Sequence, residues 1–356
     1  MQTSHGASGA PLTILSIAYP LLPVGPGSGG GAEQILHLLE QGLVRAGFRS
    51  IVVAAAGSTV AGELMATPAA SETISGSLQK EAQHIHAQKI EAALSCNRID
   101  LLHFHGLDFR SYRPQRAQPR QLATLHLPID WYPPGLFDQE NLSFNFVSRS
   151  QAASDPGLHP CPVVPNGVDL RRFHAAEIKH DYVLWLGRIC PEKGTDIALR
   201  VAHRLGLSMV VAGPVHPFPS HRQYFANQVE PLLDDQRRYA GPVNMDDKAN
   251  LLAHARCLLV PSLASETSSL VAMEAISSGT PVIAFRSGAL PEIVEDGRTG
   301  FVVDSEEEMG AAVLKTSQIS GPVCRKSAEA RFSTDRMVAG YIDLYRELLS
   351  TAPEHA

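Results

Sequence analysis

Short apolar runs alternate with stretches of helical periodicity, and they do so in two successive sets. In the first set LTILSIA, SIVVAA, DLLHFH, QLATLH and SFNFVS read as buried strands. AEQILHLLEQGLVRAG places Ile35, Leu38, Leu39 and Leu43 at helical spacing and stops at Gly47, while QKEAQHIHAQKIEAAL predicts a surface helix. The second set starts near Asp181. YVLWLG, LSMVVAG, CLLVPS and PVIAF read as strands, with KGTDIALRVAHRLG, DDKANLLAHA and SSLVAMEAISSG as helices between them. Such alternation directs a chain to α/β architecture with parallel, doubly wound sheets buried on both faces.

At 356 residues the chain has material for about two domains. CPVVPNGVDLRRFHAAEIKHD, rich in proline and turn residues, reads as the connection between them. The closing segment DRMVAGYIDLYRELLS sets Met337, Tyr341, Leu344, Tyr345 and Leu348 on one helical face, which predicts a packing helix. No apolar run reaches the roughly 18 residues that span a bilayer. The start MQTSHGASGAP has neither a basic nor an apolar leader region, so a cytoplasmic location is expected. Five cysteines without paired spacing fit a reduced protein with no disulfide frame and no structural zinc. A net charge of −6 argues against nucleic acid as a partner.

Five segments carry candidate chemistry. GPGSGGGAEQ follows the first strand and opens the first helix, where bare backbone N–H groups can approach a phosphate; a purely structural loop fits as well. Gly25, Gly27 and Gly30 also spell a dinucleotide fingerprint. The second strand, however, runs into Ala54, Ala55, Ala56, Gly57 and Ser58 without the carboxylate that fingerprint needs. GRICPEKG sets Arg188 and Lys193 after the strand YVLWL, as a diphosphate clamp or as a solvated turn. SETSSLVAME sets Glu266 before a helix and Glu274 inside it, with Thr267, Ser268 and Ser269 expected to supply the first helical N–H groups. N–H groups at a helix start attract anions, and carboxylates accept from sugar hydroxyls; capping roles for the glutamates are the plain alternative.

His126 ends the strand QLATLH, either facing a ligand or buried and satisfied. His103 and His105 share one face of their strand, yet no carboxylate or cysteine stands at zinc-ligand spacing to them. Trp131 and Tyr132 look exposed and could stack on an acceptor, or simply pack their loop. Arg110, Arg113, Arg116 and Arg120 form a basic cluster that could grip an anion or a lipid headgroup, or remain solvated. No Asp-x-Asp triplet occurs, so no metal is expected and the cations are expected from Arg188 and Lys193.

In order along the chain, GGGAEQ, TLH, PNGVD, LGRICPEKG, Glu266 to Glu274, AISSGTPVIAF and GALPEIVEDGRTGFVV resemble the family 4 retaining glycosyltransferases. The resemblance implies the GT-B fold, with two Rossmann-like doubly wound parallel-sheet domains facing a central cleft. Residues 1–175 would form the acceptor-side domain and 176–334 the donor domain, with a last helix, about 335–356, packing back on the first. It implies transfer of a hexosyl group from a UDP- or GDP-sugar to an acceptor hydroxyl, with no cofactor beyond that co-substrate. The acceptor would be a small molecule, a glycan or a lipid-linked compound, with at most peripheral membrane contact. Arg188 and Lys193 would hold the diphosphate, Glu274 the ribose, Glu266 the sugar hydroxyls, and Thr267 to Leu270 the donor through their amides. Gly29, Gly30, Gly31 and His126 would meet the donor from the other domain. Where the family often carries Gly-Phe-Gly after the first glutamate, this chain has Thr267-Ser268-Ser269, which leaves the donor sugar open. A sugar phosphorylase or synthase of the same architecture, or a non-catalytic nucleotide-sugar-binding protein, are the alternatives.

Overall fold

The computed structural model describes residues 10–69, 76–155 and 161–350. It divides into two compact units, residues 1–166 with 334–356, and residues 167–333. In the first unit β1 (Thr13–Ile17), β2 (Arg49–Ala55), β3 (Glu63–Thr67), β4 (Leu101–Phe104), β5 (Arg120–Leu125) and β6 (Ser143–Phe146) form one parallel sheet, ordered β3-β2-β1-β4-β5-β6. In the second, β7 (Tyr182–Leu186), β8 (Ser208–Ala212), β9 (Arg237–Gly241), β10 (Cys257–Val260), β11 (Val282–Phe285) and β12 (Gly300–Val303) are ordered β12-β11-β10-β7-β8-β9, again parallel. Each sheet grows outward in both directions from its first strand. The strand order therefore reverses between β1 and β4, and between β7 and β10. At such a reversal the loops leaving the carboxyl ends part to opposite faces and open a binding crevice.

The central strands, such as β1 and β7, are apolar because helices cover both faces. Val183 and Trp185 of β7 pack with Cys257 and Leu259 of β10 on one side of the second sheet. Leu184, Leu258 and Val260 pack on the other with Ala272, Met273 and Ile276. The division between units falls at Asn166, ahead of the expected residue 175. Val168 bridges to Ser333 and Phe173 is buried in the second core, so this stretch belongs to the second unit's packing.

The helix Thr334–Ser350 groups with the first unit. Tyr341 and Tyr345 on its buried face carry hydroxyls that reach Thr124 Oγ1 (3.2 Å) and His103 Nδ1 (2.7 Å). Val338 lies against Gly42 of the helix Gly31–Arg45 so closely that a Cβ at Gly42 would meet it at 2.3 Å. No helix among the described residues is long and apolar enough to cross a membrane.

Candidate active site

Two loops leave the reversal point of the second sheet, one after β7 carrying Gly187 to Gly194, the other after β10 carrying Pro261 to Ser269. They are bonded to each other. Glu192 O accepts Leu263 N–H (2.8 Å), and Lys193 Nζ donates to Glu266 Oε1 (2.5 Å). The Ser262 hydroxyl donates to that same carboxylate oxygen. Two glycines permit this approach. Gly194 has φ +62° and a Cβ there would stand 2.3 Å from Pro261 O. Gly288, at φ +53°, lies against the Glu266 backbone, where a Cβ would meet Glu266 O at 2.1 Å. The next amide, Ala289 N–H, donates to that same carbonyl at 2.6 Å. Glu266 is thus held by its side chain and its main chain together. Arg188 is half-buried, and its guanidinium forms no ion pair or hydrogen bond among the described residues.

Ser269 stays extended (φ −131°, ψ 95°), so the helix runs Leu270–Ser277 and starts later than expected. Its first bond joins Met273 N–H to Ser269 O (3.1 Å). The amides of Leu270, Val271 and Ala272 therefore precede the helical ladder, whereas Thr267 and Ser268 lie in the loop before it. Ser268 Oγ is buried without a partner. Glu274 follows little more than a turn after the helix start and is 2% exposed. Its Oε1 accepts from Lys248 Nζ (2.5 Å), whereas Oε2 is buried with no partner. Burial raises its pKa although the Lys248 charge opposes the shift. A buried carboxylate oxygen without a donor is a site for a ligand hydroxyl.

Lys248, on the helix Met245–His254, was not among the residues expected at the site. The signal was present: Lys248 stands at helical spacing from Leu252 and Ala255, both fully buried, and a lysine on an apolar stripe calls for a buried carboxylate.

In the first unit the glycine loop joins β1 to the helix Gly31–Arg45. Gly29 and Gly31 are exposed, and a Cβ at Gly30 would meet Glu33 Oε2 at 1.9 Å. His126 follows β5, half-buried, with Nε2 3.0 Å from His105 Nδ1. Burial pushes its pKa down to about 4, so it is neutral near pH 7. Both ring nitrogens of His103 are engaged, Nδ1 by Tyr345 and Nε2 by Thr124 Oγ1 (2.7 Å), which removes it from any zinc cluster.

Trp131 is 46% exposed, but Tyr132 corrects the expectation of an exposed pair. It is 6% exposed and sits in the first core, where its hydroxyl accepts Leu127 N–H (3.4 Å), because the short turn Ile129–Trp131 directs consecutive side chains apart. The basic cluster is also largely committed to structure. Arg113 is buried against Gln121 Oε1 (2.7 Å), Arg110 donates to Pro134 O (2.9 Å), and Arg116 pairs with Glu91.

Residues 180–318 match the model of the family glycosyl transferases group 1. That match lies wholly within the second unit, which is similar in sequence to the group 1 glycosyl transferases over this stretch. A D-inositol 3-phosphate glycosyltransferase of Saccharomonospora viridis is 32% identical over 216 residues, 52% of this chain and 50% of that protein. Its counterpart in Mycobacterium tuberculosis is 35% identical over 159 residues, covering 41% of this chain and 33% of that one. The chain spans about half the length, or less, of these curated relatives. A solved glycosyltransferase involved in Avilamycin A biosynthesis superposes with a TM-score of 0.74 at 24% identity, covering 96% of this chain and 99% of its own. A sucrose-phosphate synthase from Thermosynechococcus elongatus gives 0.77 at 20% identity, covering 96% and 100%. Anabaena HepE in complex with UDP-glucose gives 0.72 at 16% identity, covering 94% and 100%. The fold is therefore GT-B, built on two parallel six-stranded sheets with flanking helices.

Proposed function

We propose that this protein is a retaining glycosyltransferase that moves a hexosyl group from a UDP- or GDP-sugar to an acceptor hydroxyl. The carrying observation is the side-chain layout at the reversal point of the second sheet. An unpaired guanidinium at Arg188, a lysine steered by Glu266, and an unpartnered carboxylate oxygen on Glu274 stand on neighbouring loops and a helix start. Arg188 and Lys193 take the diphosphate and stabilise the charge that develops as it leaves. Glu274 Oε2 accepts from ribose, and Glu266 orients Lys193 and meets the sugar hydroxyls. The amides of Thr267 to Leu270 lie along the donor, and Gly29 to Gly31 with neutral His126 are the first unit's own candidates for contacts to sugar. Trp131 is the aromatic available to an acceptor.

In the step proposed, the acceptor oxygen bonds to the anomeric carbon as the carbon–phosphate-oxygen bond breaks on the same face. The acceptor proton passes to the leaving phosphate oxygen, giving nucleoside diphosphate and a glycoside of unchanged anomeric configuration. No cofactor beyond the co-substrate is invoked. The curated relatives named as glycosyltransferases and the UDP-glucose complex of a protein of like fold support the reading.

Thermal-shift titration with UDP, GDP and their hexosides tests it. A saturable rise in melting temperature with one nucleotide series is expected, together with nucleotide release only when an alcohol acceptor is present. No shift with any of them would overturn it, and an inverted product anomer seen by NMR would overturn the retaining step.

A further inference from the structure

Cys190, Glu192 and His221 each offer one ligand atom, and these three atoms lie within 4.8 Å of one another. The loops that carry them are held side by side. Gly187 N–H donates to Ala212 O (3.1 Å), Ile189 N–H to Pro214 O (2.9 Å), and a Cβ at Gly213 would meet Gly187 O at 1.8 Å. Cys190 and Glu192 thus come from the loop after β7, and His221 from the helix Pro219–Tyr224 beyond β8. Two imidazole nitrogens here, His221 Nδ1 and His216 Nε2, are buried without a partner, a state that points to an ion or water not yet accounted for.

We propose that Cys190, Glu192 and His221 bind one divalent cation of the zinc class, with the fourth position open and His216 beside it. Thiolate, imidazole and carboxylate together are a zinc donor set, and tetrahedral zinc holds such atoms roughly 3.3–3.7 Å apart, within reach of small side-chain rotations here. Thiolate and carboxylate together neutralise the ion, so the filled site adds no net charge beside Arg188. Burial first, and then Arg188, keep His216 and His221 below the usual imidazole pKa, so both present neutral nitrogens. Burial, and next the hydrogen bond to Glu192, push the Cys190 thiol up to about 11, so binding must release its proton and affinity should rise with pH. Cys190 is buried while Glu192 is exposed, which leaves an entry path from solvent. An ion here would tie the loop of Arg188 and Lys193 to the loop after β8. This is a binding site, not a participant in the transfer step.

Protein stripped with a chelator and dialysed is titrated with Zn²⁺ against a chromogenic chelator, and separately with Co²⁺ while near-ultraviolet absorption is followed. One equivalent should bind, with a cobalt–thiolate charge-transfer band. Cys190→Ser should abolish the band. Glu192→Gln and His221→Asn, both nearer the surface, should each lower Zn²⁺ affinity more than about 10-fold without changing the melting temperature of the metal-free protein. Cys96→Ser, at an exposed thiol, should change nothing. Absence of stoichiometric binding, or affinity unchanged in both Glu192→Gln and His221→Asn, would overturn the proposal even if Cys190→Ser fails to fold.

Discussion

Lys193–Glu266 and Lys248–Glu274 both close at 2.5 Å, yet the Lys193 side chain is 30% exposed and that of Lys248 is 8% exposed. Solvent screens the first pair, so Lys193→Ala should cost only about 1 kcal/mol of stability. If the proposed function holds, loss of one charge donor at the leaving phosphate should lower kcat by about 10²-fold with little change in donor KM. Steady-state kinetics on a variant of near-native melting temperature checks this. The second pair is dry. Lys248→Ala strands the Glu274 carboxylate, and about 3–5 kcal/mol should be lost, read as a lowered urea midpoint. Glu274→Gln keeps the side-chain shape but leaves the Lys248 ammonium without its counter-charge; donor KM should rise more than kcat falls. Equal loss in both parameters would place Glu274 in the transition state and not in ribose binding.

At the level of elements, the strands that apolar runs failed to mark are instructive. β3 (ELMAT), β9 (RRYAG) and β12 (GFVV) are all sheet edges. An edge strand has one neighbour and partial exposure, so it needs no long buried apolar run. Central strands such as YVLWL are covered on both faces and were legible for that reason. Glycines show the same division. Gly47 and Gly206 could be read as helix stops, since a positive φ after a helix is a local requirement. The roles of Gly288 and Gly42 come only from what lies across from them. Gly288→Ala combines a left-handed φ with a contact onto the Glu266 carbonyl, so it should cost more than about 2 kcal/mol and depress turnover by displacing Glu266. Gly42→Ala should loosen the closing helix by about 1–3 kcal/mol, and Gly42→Ala with Val338→Ala should recover most of the loss. Failure of the double variant to recover would refute that contact as the cause.

Across the whole molecule, acid sensitivity follows from buried imidazoles. Burial holds His103, His105 and His126 below the ordinary value of 6.5, His126 at about 4. The unfolded chain then binds more protons than the folded one below pH 6.5, so their contribution is full above 6.5 and falls as pH drops below it, for His126 across the range down to about 4. His126 alone accounts for on the order of 3 kcal/mol across that window. Glu274, whose pKa burial raises, acts in the opposite sense, but it is outnumbered, since burial also lowers His86, His216 and His221. Urea midpoints at pH 7.5, 6 and 5 should fall steadily; a flat or rising series would contradict the assignment. The sequence by itself determined the α/β class, the two sets of strands and the motif residues around Arg188, Lys193, Glu266 and Glu274, because periodicity and turn chemistry are local. Only the tertiary structure decided that Lys248 answers Glu274, that Tyr132 is interior, that residues 167–175 pack with the second core, and that His221 comes to lie beside Cys190. Those outcomes depend on which surfaces meet after the sheet order is set, and residues far apart along a chain carry no local signal of that meeting.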